Sequence, residues 1–226
     1  MSKLVWDQTG ERLYETGVDK VVLYPYAEGG YGNGVAWNGC TQVSENPEGG
    51  EPTDIYADNS KYLTLYSVET LNLSIEAYTY PDEFAACNGE AELAAGIVAA
   101  QQSRGMFGLC YRTKVGNDEK GDALGYKLHL VYGCKASPSE KSYQTINDSP
   151  EAITFSFDVS STPVAVEIEG KEFNNTSLIT IDSTKVGEGV MAKVEAALYG
   201  TDPDGESAGT PATLPTPAQL LALIQG

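Results

Sequence analysis

Hydrophobic and polar positions alternate most strictly in two stretches. Between Tyr126 and Cys134, the apolar Tyr126, Leu128, Leu130 and Tyr132 are interleaved with Lys127, His129, Val131 and Gly133. Between Ala152 and Ser160, Ile153, Phe155, Phe157 and Val159 are interleaved with Thr154, Ser156, Asp158 and Ser160. A period of two sends successive side chains to opposite faces of an extended chain, so each stretch predicts a strand with one face toward a core. The connection between them holds Ser137-Pro138-Ser139 and Asn147-Asp148-Ser149-Pro150, which is turn chemistry. Lys61 to Tyr80 is the longest alternating run. Leu63, Leu65, Leu71, Leu73, Ile75 and Ala77 share one parity; Tyr62, Thr64, Tyr66, Thr70, Asn72, Ser74, Glu76, Tyr78 and Tyr80 share the other. Ser67 and Glu69 interrupt the apolar side, which predicts a bend, a bulge or two strands meeting there.

Val18 to Tyr26 and Val35 to Ser44, the latter carrying Trp37, read as further strands separated by a glycine-rich turn at Glu28 to Gly34. Glu45 to Pro52 contains Pro47, Gly49, Gly50 and Pro52, a composition that predicts a loop. Thr53 to Asp58 is a short extended piece ending in a turn at Asp58-Asn59-Ser60. Phe107 to Val115 is expected to form a hairpin with Tyr126 to Cys134 across a polar loop, Gly116 to Asp122, while the alanine-rich Glu92 to Gly108 is ambiguous. Val164 to Ile168 and Ser177 to Asp182 complete the strand signals.

Helix signals are few. Glu83 to Asn88 lies between Pro81 and Gly89. Glu188 to Tyr199 carries a stripe of Val190, Val194, Ala197 and Leu198 and stops at Gly200. Pro217 to Gln225 is apolar but too short to be stable unless it packs on something. The expected fold is mainly β with one or two flanking helices, a β-sandwich or barrel-like body. Residues 1–200, including an extended N-terminal arm, form the β domain; residues 201–226 form a Pro/Gly-rich linker and a short C-terminal helix.

At 226 residues, one large domain with a sizeable core is the expectation. Fourteen Lys plus Arg against 32 Asp plus Glu give a formal charge of −18. That balance leaves no basic footprint to displace counterions from nucleic acid, and acidity of this degree keeps a protein soluble. No apolar run is long enough to span a membrane. Met1 to Glu15 lacks an apolar core region and holds Asp7, Glu11, Arg12 and Glu15, so folding in the cytoplasm of the producing cell is expected.

Recognisable catalytic and cofactor motifs are missing. The glycine-rich turn lacks the Gly-Lys-Ser/Thr ending of a phosphate loop, and the acids of Gly116 to Asp122 lack the spacing of a calcium loop. The sole histidine, His129, has no partner at metal-ligand or triad spacing and reads as a structural or surface residue. Cys40, Cys87, Cys110 and Cys134 match no zinc or redox pattern. Matching the apolar faces of the expected hairpin pairs Leu109, Tyr111 and Thr113 with Leu130, Tyr132 and Cys134, which puts Cys110 and Cys134 on opposite faces and argues for free thiols. No cofactor, no metal and no enzymatic activity are expected.

The run from Lys127 to Val164, KLHLVYGCKASPSEKSYQTINDSPEAITFSFDVSSTPV, resembles the major tail tube proteins of long-tailed, siphovirus-type bacteriophages. ERLYETGVDKVVLYP, GVAWNG, ENPEGGEPTDIYADNSKYLTL, EAYTYPDEFAACNG and GLCYRTKVGND extend the resemblance over most of Leu13 to Asp182. The resemblance implies a sandwich or barrel-like subunit closed into hexameric rings and stacked as a hollow virion tail tube. Such a tube encloses a tape measure protein, meets tail terminator and distal tail proteins, and conducts DNA without binding it specifically. In that setting Thr70, Asn72, Ser74 and Glu76, with Thr154, Ser156 and Asp158, are candidates to line the lumen, since neither row carries Lys or Arg. Glu45, Asn46, Pro47, Glu48, Glu51, Asp54, Tyr56 and Asp58 are candidates for ring or subunit contacts. The competing classes are a carbohydrate-binding β-sandwich, for which the 14 tyrosines and Trp37 would supply stacking platforms, and a β-rich glycosidase with paired acids.

Overall fold

A computed structural model describes residues 3–146, 148–149, 151–168, 171–204 and 208–225. Asn147 and Pro150 of the expected turn lie outside the described residues. The chain opens with β1 (Tyr14–Ala27), β2 (Gly30–Tyr31), β3 (Val35–Ala36) and β4 (Cys40–Glu48). A hairpin of β5 (Pro52–Ala57) and β6 (Ser60–Tyr66) follows, then β7 (Thr70–Ala77) and the short α1 (Asp82–Cys87). A second small hairpin, β8 (Ala91–Ala94) and β9 (Ile97–Ala99), precedes the long pair β10 (Met106–Asn117) and β11 (Gly121–Ala136). The last part holds β12 (Phe155–Ser161), β13 (Glu167–Ile168), β14 (Lys171–Glu172), β15 (Leu178–Asp182), α2 (Glu188–Tyr199) and α3 (Pro217–Gln225).

The principal sheet runs β2-β1-β10-β11-β12-β7-β4, with β3 on β1 and β15 on β11. Its path is open and folds back on itself at β11, giving a sandwich. β11 pairs with β15 over Lys127 to Val131 and with β12 over Cys134 to Ala136. The switch of partner falls at Gly133, whose φ is +61°. A Cβ there would stand 2.2 Å from the Thr162 carbonyl oxygen, so glycine is needed both for the backbone angle and for the approach of the chain leaving β12.

β1, β10 and β11 are covered on both faces, which is why both parities of these strands are buried. One face joins Leu23, Leu109, Tyr111, Val131 and Cys134 to Leu73, Ile75, Phe157 and Val159 of the β4–β7–β12 layer. Trp37 and Phe84 of α1 plug this core with ring centroids 4.6 Å apart. The other face joins Val22, Tyr24, Cys110, Leu128, Leu130 and Tyr132 to Met191, Val194 and Leu198 of α2 and to Leu220 of α3. The C-terminal segment is strapped across this second core. Leu214 is buried in it, and Tyr132 donates its hydroxyl to the Pro215 carbonyl at 3.0 Å.

Several local expectations are corrected. The strand expected over Val35 to Ser44 is two, broken at Gly39 with φ of +76°. Glu45 to Glu48 are not loop: they continue β4, and Pro47 stands opposite Leu71 in the ladder with β7. Proline is tolerated there because β4 is the last strand of the sheet and the missing N–H falls on its unpaired side. Only Gly49 to Glu51 separate β4 from β5. In the β10–β11 hairpin Leu109 pairs with Val131 and Tyr111 with His129, not with Leu130 and Tyr132. Cys110 and Cys134 nevertheless fall in different cores, and all four cysteines are free.

Extensions with exposed apolar side chains stand out among the described residues. Residues 3–13 form no regular element, and Leu4, Val5 and Trp6 are exposed. The β5–β6 hairpin turns tightly at Asp58 and Asn59, both at positive φ, and every residue of β5 is exposed. The β8–β9 hairpin exposes Leu93, Ile97 and Val98.

Candidate functional site: a cation-free sheet face and the arms beside it

Hydrophobic alternation in β7 and β12 turns Leu73, Ile75, Phe157 and Val159 into the sandwich, so the intervening residues must face outward. The ladder places the two rows side by side. Ser156 is opposite Glu76, Asp158 opposite Ser74 and Ser160 opposite Asn72. β4 adds a third row: Gln42 is opposite Glu76, Ser44 opposite Ser74, Asn46 opposite Asn72 and Glu48 opposite Thr70. The lumen candidates Thr70, Asn72, Ser74, Glu76, Ser156 and Asp158 therefore share one surface. Thr154 precedes the first residue of β12 and is exposed. β4, β7 and β12 contain no Lys or Arg, and the face carries Glu48, Glu76 and Asp158. Lys135, opposite Ser160 on β11, marks its border.

Short polar side chains hold the surface together. The Ser74 and Ser156 hydroxyls lie 3.4 Å apart, and Gln42 Nε2 donates to Ser44 Oγ at 2.8 Å. Asp158 is fixed through its backbone: its N–H donates to Ser139 Oγ at 2.9 Å and its carbonyl accepts from the Ser137 N–H at 2.7 Å. A shallow trough of about 410 Å³ beside it is lined by Asn46, Glu48, Asn72, Ser137, Asp158 and Ser160.

The contact candidates divide between two elements. Asn46 and Glu48 belong to the polar face, Pro47 to the sheet edge and Glu51 to the link after it. Asp54, Tyr56 and Asp58 lie on the β5–β6 hairpin, where Asp54 accepts from Lys61 and Thr64, both at 2.7 Å. Lys61 heads the causes that hold the Asp54 carboxyl below its ordinary range. The opposite hairpin face presents Ile55, Leu63 and Leu65 at 39%, 37% and 53% exposure.

Glu45 points the other way, into a polar knot that spacing in the sequence does not reveal. Tyr111 donates its hydroxyl to Glu45 Oε1 and stacks on His129, with ring centroids 4.6 Å apart. His129 Nδ1 lies 3.3 Å from Glu45 Oε1, and its Nε2 lies 3.0 Å from Thr113 Oγ1. Thr113 in turn donates to Glu15 Oε1 at 2.5 Å, and Lys127 binds Glu15 Oε2 at 2.5 Å. The His129 ring beside it leads the influences that lower the Glu45 pKa, against burial. A Thr–His–Glu relay resembles the layout of a hydrolase triad, but the one Thr113 proton is committed to Glu15, which leaves no free nucleophile for His129 to activate. Among the described residues, no cluster of three or more His, Cys, Asp or Glu has metal-binding geometry.

No family model matches the chain, and a search of curated proteins finds no relative.

Proposed function

We propose that this chain is a structural subunit that polymerises into a hollow tube of the phage-tail kind, with the β4–β7–β12 face toward the lumen and the extensions bridging subunits. The observation that carries the reading is the β5–β6 hairpin. A two-stranded hairpin is marginal in water by itself, yet this one leaves Ile55, Leu63 and Leu65 between 37% and 53% exposed. Leu4, Val5, Trp6, Leu93, Ile97 and Val98 repeat the pattern on the other two extensions. Apolar side chains collected on projections are the signature of surfaces buried by association. A second support is the cation-free face: a wall without fixed positive charge does not retain phosphate backbones.

The sugar-binding alternative loses its best platform, because Trp37 is 3% exposed and donates its ring N–H to the Thr79 carbonyl at 2.8 Å. The deciding experiment is electron microscopy of the purified protein. Rings or tubes support the assembly reading; uniform monomers that bind oligosaccharides would replace it.

A further inference from the structure

Glu15, Glu45 and His129 come from β1, β4 and β11, and each of the first two sits at the root of an extension. Glu15 is the second residue of β1, next to the N-terminal segment of residues 3–13, which the body holds at Gly10 through Asn117 and Asp118. Glu45 lies in β4 just ahead of the β5–β6 hairpin. We infer that His129 is a proton-operated latch that ties both roots to the central sheet when it is an imidazolium and releases them when it is neutral.

Thr113 has one hydroxyl proton and gives it to Glu15 Oε1, an acceptor only. Toward His129 Nε2 the threonine oxygen is therefore an acceptor, and Nε2 must carry a hydrogen. Nδ1 faces Glu45 Oε1, which already accepts the Tyr111 hydroxyl. A bare Nδ1 would set a lone pair 3.3 Å from a carboxylate, whereas a protonated ring would set a positive charge there. His129 is 8% exposed and its Nδ1 is shut off from solvent, so the contact with Glu45 is one of charge and not an aligned hydrogen bond, and it depends directly on the state of the ring.

Charge leads to the same place. The groups facing His129 are Glu15 from β1, Glu45 from β4, Tyr111 and Thr113 from β10 and Lys127 from β11; the residue opposite it on β15 is the neutral Thr180. Two carboxylates and one lysine leave one negative charge uncompensated. An imidazolium between them neutralises the cluster; a neutral ring leaves Glu45 unbalanced in a chain already at −18.

The test uses the full, unassembled chain, so its failure is separable from failure of the tube reading. Because the protein has one histidine, its ring Cε1 proton gives a single unambiguous NMR titration. Hydrogen exchange, corrected for intrinsic rates, is followed over the pH range in which histidines titrate, about 5 to 8. Protection in β4, β5 and the first residues of β1 is expected to fall about tenfold as pH rises, as for loss of one partly buried charge contact. Its midpoint should coincide with that of the His129 resonance, and α2 should not respond. Glu45→Gln should abolish the dependence, since an amide serves either protonation state; His129→Gln gives a second route to the same result. Flat protection in the wild type, a response that persists in Glu45→Gln, or a His129 that keeps one protonation state throughout would overturn the latch.

Discussion

Ser74 and Ser156 are diagonal neighbours on β7 and β12 with their hydroxyl oxygens 3.4 Å apart, midway along the outward face of the outer layer. Their contact makes one surface of two polar rows. Its middle is neutral and can bind water, while Glu76 and Asp158 stand diagonally on either side. Leu73, Ile75, Phe157 and Val159 anchor the same strands from behind, so the polar layer rests on a packed core. Outward substitutions can therefore change charge without opening that core, which is what makes the proposed role testable by mutation.

The β5–β6 hairpin should separate folding from assembly. Leu63→Glu combined with Leu65→Glu puts two charges on a face that the single chain leaves open. The monomer should keep its circular dichroism and lose no more than about 0.5 kcal/mol of stability, as for exposed sites in general. Polymerisation, read by sedimentation and electron microscopy, should be lost. Tubes of normal length from the double variant would show that this face is not buried on association.

Trp37→Ala should be costly for the opposite reason. The indole contacts Phe84 and Phe157 with ring centroids at 4.6 and 5.8 Å and satisfies the Thr79 carbonyl. Removing a buried aromatic of this size costs about 3–5 kcal/mol. Urea unfolding should show the midpoint falling sharply, and oligosaccharide affinity should play no part in the phenotype.

Asp19 governs part of the acid limb of stability. Arg112 Nε and Nη2 donate to its two carboxylate oxygens at 2.6 and 2.7 Å, and these bonds lead the causes that lower its pKa below the ordinary 3.8. A carboxyl depressed in the folded state contributes stability that is fully present above its unfolded value and is lost as pH falls through the folded one. Thermal unfolding of the wild type should therefore lose this contribution only below about pH 3.8. Asp19→Asn should be less stable at neutral pH and flatter on the acid side. An acid limb with the same slope in the variant would assign the effect to other carboxylates.

The legible parts of this fold were those where one face is wet. In β7 and β12 polar and apolar residues alternate cleanly, and the outward row could be read residue by residue. The interruption at Ser67 and Glu69 does separate two strands, but the shared parity of Leu63, Leu65 and Leu71 gave no sign that the first two belong to a projecting hairpin. Burial is a tertiary property, and an apolar face awaiting a partner has the same pattern as one already covered. In β10 and β11 both faces are covered, so polarity lost its power to set the register. Pro47 misled because proline forbids a central strand and not an edge one, and position within the sheet is not written locally. The knot of Glu15, Glu45, Thr113 and His129 joins four strands, and its one local trace is the lone histidine two residues from Lys127 on a largely apolar strand.

If the β4–β7–β12 face lines the channel, Glu76 and Asp158 point toward the tube axis, and coordinates of the assembled tube would show this directly. Asp158 is exposed and Glu76 half-buried, so Asp158→Lys with Glu76→Lys should leave the subunit folded and the tubes intact. Each subunit would then place two cations where none of the three strands now has one. Repeated around a ring and along a tube, they would turn a surface that repels phosphate into one that holds it. Ejection of DNA from an infectious particle should slow, and slow most at low salt. The screening length is about 10 Å at 0.1 M and grows as salt is withdrawn, so the attraction then reaches further into the channel. If the face lies instead on the outside of the tube, the same substitutions alter a surface that DNA never meets. Unchanged ejection from intact tubes carrying both lysines, at low salt as at high, would remove this face from the lumen.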